Sequence, residues 1–123
     1  MNTWTSDELN KIGSTDELQI ASVRSDGTLR KPVTIWVVHQ GDDLYVRSVN
    51  GRAGTWFRGA QDRHEAHVSA GVVDKDVQLI ETDDQADEID AAYRAKYNRY
   101  PANIVATVLT PQAQAATFRL VPR

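Results

Sequence analysis

Residues Arg30 to Arg63 read RKPVTIWVVHQGDDLYVRSVNGRAGTWFRGAQDR, and the order of apolar, turn-forming and basic residues here decides the fold. Val33 to His39, VTIWVVH, is β-branched and aromatic at successive positions, which predicts a central strand buried on both faces. Gln40-Gly41-Asp42-Asp43 is turn chemistry, after which Leu44, Val46 and Ser48 alternate with Tyr45, Arg47 and Val49 in a second strand, so the pair reads as an antiparallel hairpin. Asn50-Gly51-Arg52-Ala53-Gly54 follows as a loop in which the glycines and Asn50 tolerate positive φ. Thr55 is the expected N-cap of a short helix, TWFRGAQDR.

That loop places unpaired backbone amides next to Arg47, Arg52 and Arg58, a set that predicts an anion pocket. Helix-start amides and guanidinium groups together make charge-assisted hydrogen bonds to phosphate-like ligands. Arginines on a loop and a helix start are equally the solvated charges of any soluble surface, and spacing does not choose between the two.

Working outward, 123 residues suffice for one hydrophobic core, and the chain is expected to be a single domain over 1–123. A formal net charge of −3 argues against a nucleic-acid partner. Between Arg24 and Arg63, however, seven Lys or Arg stand against four acids, so the remainder is strongly acidic. A local basic region on an acidic protein suits a small anionic ligand better than a polyanion. No cysteine is present, which removes thiolate nucleophiles, disulfides and thiolate metal sites. The N-terminal MNTWTSDELNKIG has neither the basic start nor the apolar core of a secretory signal, and no apolar run has the length of a membrane span. A cytoplasmic protein with no membrane partner is expected.

In chain order, Thr5 and Glu8 have capping-box spacing ahead of Leu9 and Ile12, and Gly13 ends this first helix. Glu17 to Arg24 is a strand closed by Ser25-Asp26-Gly27, and Pro32 must stand at the first residue of the strand that follows or on an unpaired side. Beyond the central stretch, Ala66, Val68, Ala70 and Val72 alternate with polar residues in a strand. Val73-Asp74-Lys75-Asp76 reads as a turn, with Val77 to Ile80 returning as the next strand. Asp83 or Asp84 is expected to cap a helix carrying Ala86, Ile89, Tyr93 and Tyr97 on one side. Asn103 to Thr110 reads as a short helix and Ala115 to Val121 as a last strand. The sum is mainly β with helices (α+β): about six mostly antiparallel strands, in a small barrel or a sandwich.

Lys31-Pro32 opening a strand, LYVRS closing its partner, a glycine loop and TWF beginning a helix resemble the flavin-binding split β-barrel superfamily of pyridoxamine-phosphate-oxidase-like proteins. Within it the pattern is similar to the deazaflavin-dependent nitroreductases. From TWTSDEL through YVR-x-x-NG-x-x-x-x-W to DEIDAAYRAKY, nearly the whole chain resembles a bacterial family described only as a domain of unknown function. The resemblance implies a split barrel and FMN or a deazaflavin coenzyme bound across it. Its phosphate would be held by Arg30 and Lys31, by Arg47 and Ser48, and by the loop carrying Asn50, Gly51, Arg52, Gly54, Thr55, Trp56 and Arg58. A homodimer is a further implication. Where the nitroreductases show a lysine or serine before the glycines and a proline before the tryptophan, this chain has Asn50 and Thr55.

Other chemistry is thinner. His64 and His67 are three apart on a predicted strand, hence on opposite faces, which argues against a zinc pair. His39 reads as a hydrogen-bonded strand end. Asp83, Asp84, Asp87, Glu88 and Asp90 read as a helix cap and a solvated face. Trp36 and Trp56 are core or wall residues that are also able to cover a planar ring. Two functions follow: an oxidoreductase whose bound flavin or deazaflavin acts on a small acceptor, or a non-catalytic module using the same barrel for a small anion or for self-association.

Overall fold

The computed structural model describes residues 3–123. Helix α1 (Ser6–Gly13) opens with the expected capping box: the Thr5 hydroxyl accepts from the Glu8 amide at 3.1 Å, and the Glu8 carboxylate accepts from the Thr5 amide at 3.0 Å. Strands β1 (Glu17–Ser22), β2 (Val33–Trp36), β3 (Val38–Gln40) and β4 (Asp43–Arg47) follow. After a 3₁₀ turn (Gly51–Ala53) come α2 (Thr55–Ala60), β5 (Glu65–Ala70), β6 (Val73–Glu81) and α3 (Ala86–Lys96). The chain ends with α4 (Ala102–Val105), a second 3₁₀ turn (Ala106–Val108), α5 (Pro111–Gln114) and β7 (Thr117–Pro122).

All seven strands form one sheet in the order β2-β1-β5-β6-β7-β4-β3, with every pairing antiparallel. The two outermost strands are consecutive pieces of a single segment, Val33 to Gln40. It pairs with β1 through its first half and with β4 through its second, so the sheet closes on itself as a split β-barrel. The predicted central strand is therefore corrected to a seam, broken at Val37, that supplies both edges. Its two apolar faces have a different cause from the one inferred. Val33, Ile35 and Val37 face the barrel interior, whereas Trp36 and Val38 face an apolar cluster under α3. Val37, released from the ladder, is satisfied by side chains: its amide donates to the Tyr97 hydroxyl at 3.2 Å, and its carbonyl accepts from Lys96 Nζ at 2.6 Å.

The barrel interior holds Leu18, Ile20, Leu44, Val46, Phe57, Val68, Val77, Leu79, Phe118 and Leu120. Each fully buried side chain of this size stabilises the fold by about 1.5–3 kcal/mol. The outer cluster joins Ile89 and Tyr93 of α3, and Tyr97 just past its end, to Val38 and Tyr45, with Trp36 stacked on Tyr97 at 3.8 Å and 5°. Three boundaries depart from expectation. The β5–β6 turn is Gly71-Val72, with Gly71 at φ +59°, so Val73 to Asp76 belong to a strand. Gly54 rather than Thr55 precedes α2, which stops at Ala60. Gln85, at φ 59°, precedes α3 in place of a capping aspartate.

Candidate functional site at the split in the barrel

Where β2 diverges from β4, two cavities adjoin and share Trp56. The first, about 360 Å³, lies between the β1–β2 connection and the loop entering α2. Ser22, Arg24, Arg30, Lys31, Asn50, Thr55 and Trp56 line it over a floor of Ile20 and Val33. It presents three cations and no carboxylate. The second, about 270 Å³, is an apolar slot along β2, formed by Ile35, Trp36, Val49, Trp56, Ile104 and Val108 with Glu17, Thr34, Thr107 and Arg47 among its polar lining. Val49 and Ile104 are 47% and 43% exposed there, large apolar side chains left open to solvent beside two tryptophans.

Arg30 is placed by α2. A Cβ on Gly59 would lie 2.8 Å from Arg30 Nε, so a larger residue there would displace the guanidinium from its present position. One end of that guanidinium pairs with Asp62, while Nε is buried with no acceptor among the described residues. Lys31 is exposed and in no ion pair among the described residues. Arg24 is held by its own hairpin, donating to the Leu29 carbonyl at 2.9 Å.

Of the residues expected at a ligand site, Arg30, Lys31, Asn50, Thr55 and Trp56 line the cationic cavity together. Arg47, Arg52 and Arg58 do not converge, a correction to the expected single pocket. The Arg47 side chain is 0% exposed and spends four hydrogen bonds inside the protein. Nη1 donates to Asp90 Oδ1 at 2.5 Å and to the Val108 carbonyl at 2.8 Å, Nε to Thr117 Oγ1 at 3.1 Å, and Nη2 to the Ala86 carbonyl at 3.3 Å. Arg52 turns to the outside of the barrel, where it pairs with Glu81 at 2.7 Å and bonds the Ala115 carbonyl. Arg58 is exposed on α2 and lines neither cavity.

The loop amides are also more occupied than expected. Ser48 N donates to the Ala116 carbonyl, Gly51 N to the Ser48 carbonyl and Gly54 N to the Gly51 carbonyl, all at 3.0–3.1 Å. Gly51 takes φ +70° with Gln112 packed where a side chain would stand, and a Cβ on Gly54 would meet Ser48 Oγ at 2.6 Å. Ser48, Gly51 and Gly54 thus shape the loop around Thr55 and Trp56.

Sequence reading missed Ser22, Arg24 and Gly59 as contributors. The first two carried a signal: Ile20, Ser22 and Arg24 are two apart, so one face of β1 and its extension reaches the cavity. Gly59 carried none, because its partner Arg30 lies in another element. Among the described residues no group of three His, Cys, Asp or Glu is placed to hold a metal ion, and neither cavity is lined by a histidine or methionine. His64 precedes β5, at φ 55°, rather than lying on the strand with His67, and it bonds Glu81. His67 bonds Asp76 and Asp74 on the outer face of the hairpin, and those carboxylates raise its pKa. Among the described residues no helix is long and apolar enough to cross a membrane.

Several solved proteins share this fold at low sequence identity. HutZ, the heme storage protein from Vibrio cholerae, is 14% identical with a TM-score of 0.63, over 100% of this chain and 92% of its own. An F420 reductase is 17% identical with a TM-score of 0.55, over 93% of this chain and 90% of its own. The FAD and heme binding protein from Mycobacterium smegmatis is 18% identical with a TM-score of 0.55, over 95% of this chain and 65% of its own. No protein of curated function matches the chain. A family model, by contrast, matches residues 8–120, and the chain belongs to that family, an uncharacterized protein conserved in bacteria (DUF2255).

Proposed function

We infer that the protein binds a flavin-type cofactor, FMN or a deazaflavin coenzyme, in the split of the barrel and serves hydride transfer to a small acceptor. The observation that carries this is the pairing of a cavity bearing cations and no carboxylate with an aromatic slot, joined through Trp56. Such a cleft matches a ligand that is anionic at one end and planar and apolar at the other, and each compartment is near or within the usual range of about 300–1,000 Å³. The donor set fits. Arg30 with its unsatisfied Nε, Lys31 and the Ser22 and Thr55 hydroxyls would hold a phosphate, and Trp36 and Trp56 would flank a ring. An iron macrocycle fits less well, because no histidine, methionine or cysteine lines either compartment to serve as an axial ligand.

A bound flavin or deazaflavin supplies the hydride chemistry itself. The chain's own contributions are orientation and water exclusion. Trp36 is held rigid by its stack on Tyr97, Ile35, Val49 and Val108 make the slot apolar, and the Thr34 and Thr107 hydroxyls at its rim are available to an acceptor's polar edge. The absence of a nucleophile or acid–base pair in the cleft is consistent with that division of labour. The names of similarly folded proteins, an F420 reductase and an FAD and heme binding protein, support the cofactor class.

The test is a fluorescence titration of FMN and of the deazaflavin into the protein. Saturable binding well below millimolar concentration is expected, and no binding by either cofactor overturns the reading in favour of a non-catalytic module. Self-association to a homodimer belongs to the same proposal, and a sedimentation mass of one chain with and without cofactor would remove it.

A further inference from the structure

At the β3 end of the seam, away from the β2 residues of the proposed cleft, α1 and the last turns of α3 border a third, open cavity of about 510 Å³. Its lining includes Asn10, Gly13, His39, Gln40, Ala92 and Lys96. Lys96 stands apart from the other lysines. Lys11 pairs with Asp7 at 2.9 Å and Lys75 with Glu8 at 2.6 Å, and Lys31 is exposed. Lys96 is partly buried, has no carboxylate within ion-pair distance among the described residues, and holds one hydrogen bond, from Nζ to the Val37 carbonyl. Nζ lies 5.2 Å from the centroid of the Tyr97 ring. One acceptor therefore fixes the nitrogen of a residue that lines the cavity, and a neutral amine can keep that bond because it still donates.

We propose that Lys96 is a reactive-amine site, which condenses with small aldehydes or ketones admitted to the cavity between α1 and α3. The Nζ lone pair attacks the carbonyl carbon, and the new C–N bond displaces the C=O π pair onto oxygen. Both Nζ hydrogens then leave with that oxygen as water, giving an imine with no net oxidation or reduction. The environment supports the neutral nucleophile. Burial lowers the Lys96 pKa to about 8, with Asp16 opposing the shift and Arg99 reinforcing it. His39, whose Nε2 is engaged with the Gly41 carbonyl at 2.6 Å, is the other titratable group lining the cavity. The lowered pKa leaves a substantial fraction of Lys96 as free amine near neutral pH, the form that attacks a carbonyl.

The inference is independent of the cofactor cleft, and its test needs no cofactor. The folded protein is treated at pH 7.5 with glycolaldehyde and cyanoborohydride, which reduces the imine to a stable secondary amine, and each lysine is quantified by peptide mass spectrometry. Lys96 is expected to be labelled roughly tenfold faster than any other lysine, with a rate that levels off above about pH 8. Equal or faster labelling of Lys31 or Lys11 overturns the proposal. So does preferential labelling of Lys96 that survives in urea. Lys96→Arg keeps a donor for Val37 and serves as the blank: it should fold and lose only the dominant label.

Discussion

The basic residues entering β2 and those leaving β4 are alike in composition and opposite in use. Arg30 and Lys31 stand at the open end of the seam, where Arg30 pairs with Asp62 through one nitrogen but keeps another without an acceptor, and the Lys31 ammonium has no counterion among the described residues. Arg47 points into protein and Arg52 toward Glu81, and both are spent on holding elements together. What separates the two groups is which partners the rest of the chain delivers. Asp90, 43 residues later, closes on Arg47, whereas the lining facing Lys31 contains no acid. A cluster of like charges in sequence therefore marks a region, and only the acids that fold back onto it decide which members remain for a ligand.

The sharpest way to break this contrast is Arg47→Ala. Removing one partner of a buried ion pair leaves the other uncompensated and costs about 3–5 kcal/mol. Here Asp90 would retain only Gln114, which donates to it at 2.8 Å, and the Ala86 and Val108 carbonyls would each lose a donor. Urea unfolding should show a much lower midpoint, at an unchanged slope. A variant of wild-type stability that fails to bind cofactor would instead return Arg47 to the ligand site, as its sequence position first suggests.

The glycines of the β4–α2 loop come next. Gly51→Ala places a Cβ at φ +70° and into Gln112, and Gly54→Ala drives one into Ser48 Oγ. Each should cost about 1–3 kcal/mol, by backbone strain or by overpacking. Near-neutral stability with lost binding would mean that these glycines serve close approach of a ligand and not the loop.

How much of this was legible follows from the same residues. The α1 capping box, the Gly41 turn and the stripe of Ile89, Tyr93 and Tyr97 are local signals and appear where spacing put them. The seam was not legible, because apolarity on both faces of Val33 to His39 reads the same for a strand between two layers and for one that lines a barrel inside and meets α3 outside. Asp90 reads as part of a solvated acidic face beside Asp87 and Glu88. Its spacing of three and seven to Tyr93 and Tyr97 puts it on the buried stripe, and that is the clue that Arg47 had a partner. The resemblance named Arg30, Lys31, Asn50, Thr55 and Trp56, which line one cavity, whereas the charge cluster of Arg47, Arg52 and Arg58 does not converge, because charge carries no information about burial.

Lys31→Ala sharpens the comparison from the other side. An exposed lysine in no ion pair contributes little to stability, so the unfolding midpoint should stay within about 0.5 kcal/mol of wild type. Loss of a charge-assisted phosphate contact, at about 1.5 kcal/mol, should weaken FMN binding roughly tenfold. Unchanged affinity would remove Lys31 from the proposed site. Affinity unchanged in Arg30→Ala as well would dismiss the cationic cavity altogether.

The smallest effect concerns Arg52, which the comparison assigns to structure although it lies in the loop beside the cleft. Burial pushes the Glu81 carboxyl up, but hydrogen bonds from Arg52, Gln61 and His64 outweigh it and hold the group at about 2, below the ordinary 4.5. A carboxyl depressed in the folded state contributes stability that is fully present above its unfolded pKa and is lost as pH falls through the folded one. Here that window runs from about 4.5 down to about 2. Arg52→Met should flatten this part of the acid limb while leaving the neutral-pH midpoint close to wild type, since the pair is largely solvent-facing and such pairs are individually weak. Cofactor affinity should not move. An acid limb that keeps its slope, together with weaker binding, would show Arg52 engaged with the ligand rather than with Glu81, and would place the divide between structural and ligand-facing cations on the other side of the loop.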